Sequence, residues 1–253
     1  MPTFLSTRGS VRPTLLAVAW AVALIVGLLA AGGVFADDTT QIMRSRTLDN
    51  FDDPDAIQWT VRGSKFAAPG FPDAAYVNAW PDALHPRNVD GSGFQVLGIR
   101  SQFDRGGYNT IEIIPVRDAD GSGQEPNPLQ IPGRVQSFDV WVWGANYNYT
   151  MEIHLRDYQG IDHTVPLGSL KYNGWKQLTA RMPGNIPQQQ PHLPRLKSLE
   201  VTKLVIWTLP GERVDDFFVY LDEFTVLTDL FESRFDGEDL VDPALVESVW
   251  GAN

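Results

Sequence analysis

The sequence lacks cysteine altogether and holds only four histidines among its 253 residues. Without cysteine, neither disulfide bonds nor thiolate metal sites can form, so the core and its hydrogen bonds must hold the fold. His85, His154, His163 and His192 are scattered, without the spacing of metal ligands or of a catalytic pair. We therefore predict that the protein is not an enzyme, with no catalytic, cofactor-binding or metal-binding residues assigned.

Basic residues are also in short supply. The chain has 20 lysines and arginines against 31 acidic residues, a formal net charge of −11. A charge of this sign repels phosphate backbones and anionic lipid surfaces, so nucleic acid is not expected as a partner. No heptad repeat of apolar residues is present either, which argues against a coiled coil.

A long apolar run occurs only near the N-terminus, from Leu15 to Val34, behind Arg8 and Arg12. A small residue, Ala36, precedes an acidic start, as at a secretory cleavage site, and residues 1–36 are predicted to be a signal peptide. Cleavage there would leave 217 residues and a charge of −13, from 18 basic and 31 acidic residues. The alternative is an uncleaved membrane anchor. Cleavage predicts a periplasmic protein without a membrane contact.

Proline, glycine and tryptophan are abundant, with 18, 22 and 8 copies. Together with about nine short strand-like runs, they favour an all-β fold, a two-sheet jelly-roll-like antiparallel sandwich similar to carbohydrate-binding modules, with long loops and little helix. We predict a polar leader at 37–46, the sandwich at 47–230 and an acidic C-terminal tail at 231–253. The tail could hold one short helix from Asp242 to Gly251.

Similar acidic and aromatic segments, LDNFDD at 48–53 and VYLDEF at 219–224, predict that the first and last strands are neighbours. As in some jelly-roll modules, a structural calcium ion could lie there on Asp52, Asp53 and Asp222, although turn formation and surface solvation are the favoured explanation of these acids. A second candidate calcium loop, 118–123, fails because the twelfth position is Leu129 instead of glutamate. Asn148 matches a glycosylation acceptor, a short and common signal.

Two-residue periodicity is clearest in residues 131–160. Alternate residues from Phe138 to Val142, and again from Tyr149 to Leu155, are apolar, which predicts an antiparallel hairpin with one buried face. The opposite face is a candidate interface or ligand face, and its residues are Trp141, Trp143, Glu152, His154 and Arg156. The tryptophans could be buried by the monomer, anchor a protein interface or stack on a sugar. Glu152, His154 and Arg156 also fit a solvated charge network on the surface.

Four segments carry a more specific resemblance: IPGRVQSFDVWVWGANYNYTMEIHLRDYQG, GWKQL, IPQQQPHLP and VDDFFVYLDEFTVLTD. In this order they resemble the FlaA family, the outer-layer or sheath proteins of spirochaete flagellar filaments, over about residues 45–240. Members of that family carry a cleaved signal peptide, as predicted here.

The resemblance implies a structural subunit that coats the flagellin core of the periplasmic flagellum and influences filament stiffness and shape in motility. Its partners would be core flagellin, other sheath proteins and, by lateral self-association, copies of itself. The alternative is a periplasmic carbohydrate-binding module. A glycoside-active enzyme would further require two carboxylates that converge in a cleft.

Overall fold

The computed structural model describes residues 43–85, 90–91, 93–117, 124–188, 190–192, 195–229 and 249–250. Within these ranges the chain forms fifteen strands, and helix occurs only at 249–250. No helix in the described part of the chain has the length and hydropathy to cross a bilayer. The predicted signal peptide at 1–36 and its cleavage site at Ala36 lie outside the described residues, as do the loop 118–123 and nearly all of the tail.

The strands are β1 Met43–Asp49, β2 Gln58–Gly63, β3 Asp73–Val77, β4 Val96–Ser101, β5 Thr110–Arg117, β6 Glu125–Pro126, β7 Leu129–Ile131, β8 Arg134–Ala145, β9 Thr150–Arg156, β10 Asp162–Ser169, β11 Asn173–Arg181, β12 Gln190–His192, β13 Arg195–Lys197, β14 Leu199–Trp207 and β15 Phe217–Asp229.

Two antiparallel sheets contain almost all of these strands. The front sheet has the order β11-β8-β15-β4-β3, and β1 pairs with one end of β15. The back sheet has the order β10-β9-β14-β5-β2, with the short strands β6 and β7 paired to β5 and β14. A separate two-stranded ribbon joins β12 and β13.

One hydrophobic core lies between the two sheets. The front sheet contributes alternate residues such as Val140 and Leu221, and the back sheet contributes residues such as Ile153 and Leu204, all of them fully buried. Alternation of this kind places every second side chain of a strand in the core and leaves the others on an outer face. The predicted all-β, two-sheet antiparallel sandwich is therefore confirmed.

The predicted hairpin of residues 131–160 is wrong in its pairing. β8 pairs with β11 and β15 in the front sheet, whereas β9 pairs with β10 and β14 in the back sheet. The segment between β8 and β9 crosses from one sheet to the other, with Asn146 at a positive φ of 59°. Tyr147 and Tyr149 anchor the crossing, because their hydroxyls donate to the backbone oxygens of Asp215 and Arg213 at 2.7 and 2.8 Å.

The first and last strands are neighbours, as predicted. β1 runs antiparallel to β15, from Met43 opposite Asp229 to Asp49 opposite Phe224. Residues 43–46 of the predicted leader therefore belong to the front sheet. Residues 183–198, although rich in proline and glutamine, include the short strands β12 and β13. The segments of β3 and β10 are also strands, without a clear alternation of apolar residues. Proline and alanine dilute the alternating pattern in these segments.

Candidate functional site on the front sheet

The outer face of the front sheet carries a row of aromatic side chains. In the strand register Trp175 of β11 lies opposite Trp143 of β8, and Trp143 lies opposite Tyr220 of β15. Directly opposed residues of an antiparallel pair project from the same face, so the three rings share the outer surface. The row continues into two small residues, Gly98 of β4 and Ala75 of β3.

The rings pack against one another and still leave apolar surface exposed. Trp143 lies nearly parallel to Phe218, with ring centroids 5.7 Å apart, and meets the edge of Tyr220 at the same distance. Phe218 is 40% exposed. Trp141, Trp143 and Trp175 are half-buried. We call these five residues, Trp141, Trp143, Trp175, Phe218 and Tyr220, the front aromatic face. The monomer therefore covers the tryptophans only in part.

A groove of about 320 Å³ lies beside this face, where β3, β4 and β15 run next to each other. The Tyr220 ring packs over Gly98 on its floor, because Gly98 has no side chain and a Cβ there would come within 2.9 Å of that ring. At one end the Arg100 guanidinium donates to the Asp73 carboxylate from Nε at 3.2 Å and from Nη2 at 3.1 Å. Phe218 lies opposite Arg100 in the register and forms the adjacent wall.

The three polar residues predicted to share a face with the tryptophans lie on the back sheet instead. Glu152, His154 and Arg156 belong to β9 and project outward, so they are on the opposite side of the sandwich from Trp141 and Trp143. Glu152 Oε1 accepts from the Trp207 indole at 2.6 Å and lies 2.8 Å from His154 Nε2. Arg156 donates to Asp162 at 3.1 Å. This geometry is that of a surface charge network.

The histidines with described side chains have separate surroundings. His163 Nε2 lies 2.8 Å from Asp157 Oδ2, and His85 stacks on Phe94 with centroids 4.0 Å apart. The side chain of His192 lies outside the described residues. The backbone N–H of Asn148, the candidate acceptor of a glycan, donates to Glu212 at 3.0 Å, and the side chain is half-buried.

Acidic side chains gather where β1 meets β15. Asp222 is only 5% exposed, and this burial raises its pKa to about 7; the Glu223 N–H lowers the pKa, and the carboxylates of Asp52, Glu223 and Asp49 raise it. Burial also raises the pKa of Asp49, whose carboxylate accepts from the Trp59 indole at 2.6 Å. Among the described residues, no three histidines or acids are placed to hold a metal ion. The calcium ion at Asp52, Asp53 and Asp222 stays a prediction.

Comparison with known proteins decides the family. The family model of the flagellar filament outer layer protein FlaA matches residues 45–236, which include nearly all of both sheets. This chain belongs to the FlaA family. The resemblance carried by the four sequence segments is thereby confirmed.

Two curated relatives of this FlaA chain come from spirochaetes. A flagellar filament outer layer-like protein of Brachyspira hyodysenteriae is 26% identical over 144 residues, which are 57% of this chain and 62% of that protein. The flagellar filament outer layer protein of Borreliella burgdorferi is 23% identical over 168 residues, 58% of this chain and 48% of that protein. The matched part thus covers less than two thirds of either relative.

Among solved structures, this FlaA chain is similar to carbohydrate-binding modules. A family 61 module in complex with β-1,4-galactotriose is 14% identical, with a TM-score of 0.38, over 73% of this chain and 99% of the module. A family 11 module of a Clostridium thermocellum cellulase is 10% identical, with a TM-score of 0.37, over 72% and 94%. Similarity at this level carries no argument about what the FlaA chain binds.

Sequence reasoning identified Trp141 and Trp143 but missed the other rings of the front aromatic face. Phe218 and Tyr220 stand in the run FFVYL, which is apolar at every position and gives no alternating signal. Trp175 stands in the segment GWKQL, which has no two-residue alternation to mark it as an outward ring. Its position opposite Trp143 depends on the pairing of β11 with β8, which the local sequence does not encode.

Proposed function

We propose that this FlaA chain is a structural subunit of the outer layer, or sheath, of the periplasmic flagellar filament, where it coats a core of flagellin. The family match at residues 45–236 carries this proposal, because it covers the sandwich from β1 to the end of β15 and not one local motif. One curated relative is named a flagellar filament outer layer protein and the other an outer layer-like protein. The predicted signal peptide supports the periplasmic location.

The front aromatic face supplies a surface for docking on the filament. Trp143 and Phe218 expose apolar area next to each other on one face, and its removal from water favours association. Tryptophan and tyrosine are enriched among the residues that dominate interface energies. The opposite face, around Glu152 and His154, is polar and charged, as expected for a surface turned to solvent or to a lateral neighbour.

Co-sedimentation with purified flagella tests the proposal. Wild-type protein should pellet with flagella stripped of their outer layer, and the double variant Trp141→Ala/Trp143→Ala should bind at least about tenfold more weakly, since one well-packed aromatic anchor is commonly worth that factor. The matched control is Tyr108→Ala, which removes a 70% exposed aromatic ring located outside the front sheet.

Circular dichroism and thermal unfolding must show that each variant is folded. If wild-type protein stays wholly in the supernatant, the sheath proposal fails. If the double variant pellets as well as wild type, the sheath role survives and the front aromatic face is not the docking surface.

A further inference from the structure

The groove between β3, β4 and β15 has an apolar ring and an ion pair at directly opposed positions of neighbouring strands. Phe218, opposite Arg100, presents a 40% exposed ring. Arg100 and Asp73, opposite each other on β4 and β3, form an ion pair at 3.1 Å with side chains 66% and 51% exposed. An apolar ring therefore stands beside a pair whose remaining N–H groups and carboxylate oxygen face solvent.

The shape of the groove comes from small residues on its floor. Gly98 and Ala75 lie side by side across β4 and β3, whereas the Phe218 and Tyr220 rings rise from β15 next to them. The resulting volume of about 320 Å³ is at the lower end of ligand pockets, enough for one or two small rings. A bulkier residue at Gly98 would collide with Tyr220, whose ring lies over this position.

Charge narrows the class of ligand. The Arg100–Asp73 pair is neutral as a unit, and the chain as a whole carries −11, so an anionic ligand meets a repulsive field without a free cationic partner at the groove. A purely apolar ligand would leave the exposed pair without new hydrogen bonds. The best match is a neutral molecule with one apolar face and a rim of hydroxyl groups, which is the description of a pyranose ring.

We propose that this groove is a binding site for a neutral sugar residue, with the C–H face of the sugar on the Phe218 ring and its hydroxyls on Arg100 and Asp73. Planar guanidinium and carboxylate groups each engage two neighbouring hydroxyls, and aromatic rings supply rigid apolar area. The site is distinct from Trp141, the tryptophan first considered for sugar stacking, which lies opposite Asp222. It does not depend on the proposed sheath role, because the free subunit contains every residue named.

Titration calorimetry with the purified chain tests the site. The probes are neutral oligosaccharides built from glucose, galactose, xylose, mannose and N-acetylglucosamine, with an oligogalacturonate as the charged comparison. We expect wild-type protein to bind at least one neutral probe and to bind the oligogalacturonate more weakly. Quenching or enhancement of tryptophan fluorescence should accompany binding, because Trp143 stacks on Phe218.

Three variants separate stacking from polar recognition. Phe218→Ala should weaken binding about tenfold or more, and Phe218→Leu should weaken it nearly as much, because leucine keeps apolar volume but loses the flat ring. Asp73→Asn should also weaken binding and change the preference among epimeric sugars. Tyr108→Ala is the matched control and should bind as wild type does. All three substituted positions are exposed, so the four variants should retain the fold.

The source of the sugar is tested by competition. If the bound oligosaccharide releases the subunit from stripped flagella, the natural ligand is a glycan on the filament; if it binds without releasing the subunit, the ligand is a free saccharide. Failure of every neutral probe to bind overturns the proposal, as does equal binding by wild type and Phe218→Ala. A wild-type dimer that Phe218→Ala dissociates, with no sugar bound, would overturn it in favour of a contact between subunits.

Discussion

Asp222 is the residue at which burial and charge conflict most strongly. Its carboxyl is almost completely buried beside other acids, and its folded-state pKa is about 7, against an ordinary value of 3.8. Between these two values the folded chain binds more protons than the unfolded chain. Stability must therefore fall as the pH rises from about 4 to about 7 through this group.

Removal of the charge should reverse that loss. Asp222→Asn is expected to raise the free energy of unfolding by roughly 1–3 kcal/mol at about pH 8, with almost no gain at about pH 3, where aspartate is mostly protonated in both states. The amide oxygen can still accept from the Glu223 N–H, which donates to Asp222 Oδ1 at 2.8 Å. Urea denaturation across this pH range measures the effect, and Asp55→Asn, at an exposed acid on the nearby turn, is the control.

The same variant bears on the predicted calcium ion. If calcium binds at Asp52, Asp53 and Asp222, added calcium should raise the thermal midpoint of wild type but not of Asp222→Asn. A destabilised Asp222→Asn at about pH 8 would contradict the expected gain and would mean that a positive partner compensates the carboxylate. A gain in stability without any calcium effect would mean that the acids where β1 meets β15 only repel one another and destabilise the fold.

At the scale of strands, periodicity predicted orientation well and pairing poorly. Phe138, Val140 and Val142 of β8 and Ile153 and Leu155 of β9 are all buried, as the alternating pattern indicated. Orientation is local, because successive side chains point to opposite faces of any strand. Pairing is not local, because β8 pairs with β11 and β15 and not with β9, the next strand in the sequence. The tight Asn146 turn and the buried Tyr147 and Tyr149 rings direct the chain across the core instead.

The candidate site was predictable to the same extent. The sequence pointed to Trp143 as an outward aromatic residue, but its neighbours Trp175 and Phe218 come from strands 30 or more residues away along the chain. Glu152 and His154 share the periodicity of Trp143 and still lie on the other sheet. Two-residue periodicity cannot distinguish the outer faces of two sheets, since both alternate in the same way.

Gly144 shows how tightly the front sheet fits the segment that follows β10. A Cβ at this position would lie 2.8 Å from the Tyr172 carbonyl oxygen and 3.1 Å from that of Leu170. The neighbouring Asn146 N–H donates to the same Tyr172 oxygen at 2.8 Å. Because the clashing atoms belong to the backbone, they cannot rotate away as a flexible side chain would.

Gly144→Ala should therefore destabilise the fold by about 1–3 kcal/mol, as overpacking does in well-packed interiors. The control is Gly184→Ala, where an added Cβ meets nothing within 4 Å and the change should be neutral or slightly stabilising. Thermal and urea unfolding of the two variants compare them directly. Equal stability of the pair would mean that the segment at Leu170 and Tyr172 is free to move away from β8.

For the whole molecule, an acidic sandwich with one aromatic face and one charged face fits a subunit that coats an existing filament. Its formal charge of −11 makes free copies repel one another. The part of the chain that the structure describes has no long helix of the kind that packs into a coiled-coil filament core. A coat of this kind adds material and contacts to the surface, whereas the filament beneath it must assemble through contacts of its own.

Loss of this protein should therefore leave flagellar filaments assembled but thinner, with altered stiffness or curvature. Negative-stain images of filaments from cells with and without the protein measure diameter and curvature directly. Wild-type protein supplied in trans should restore both, and the Tyr108→Ala control should do so equally well. The Trp141→Ala/Trp143→Ala variant should fail while accumulating as folded protein in the periplasm. Filaments that do not form at all without the protein would contradict a coat role, because a core that assembles through its own contacts does not need its outer layer.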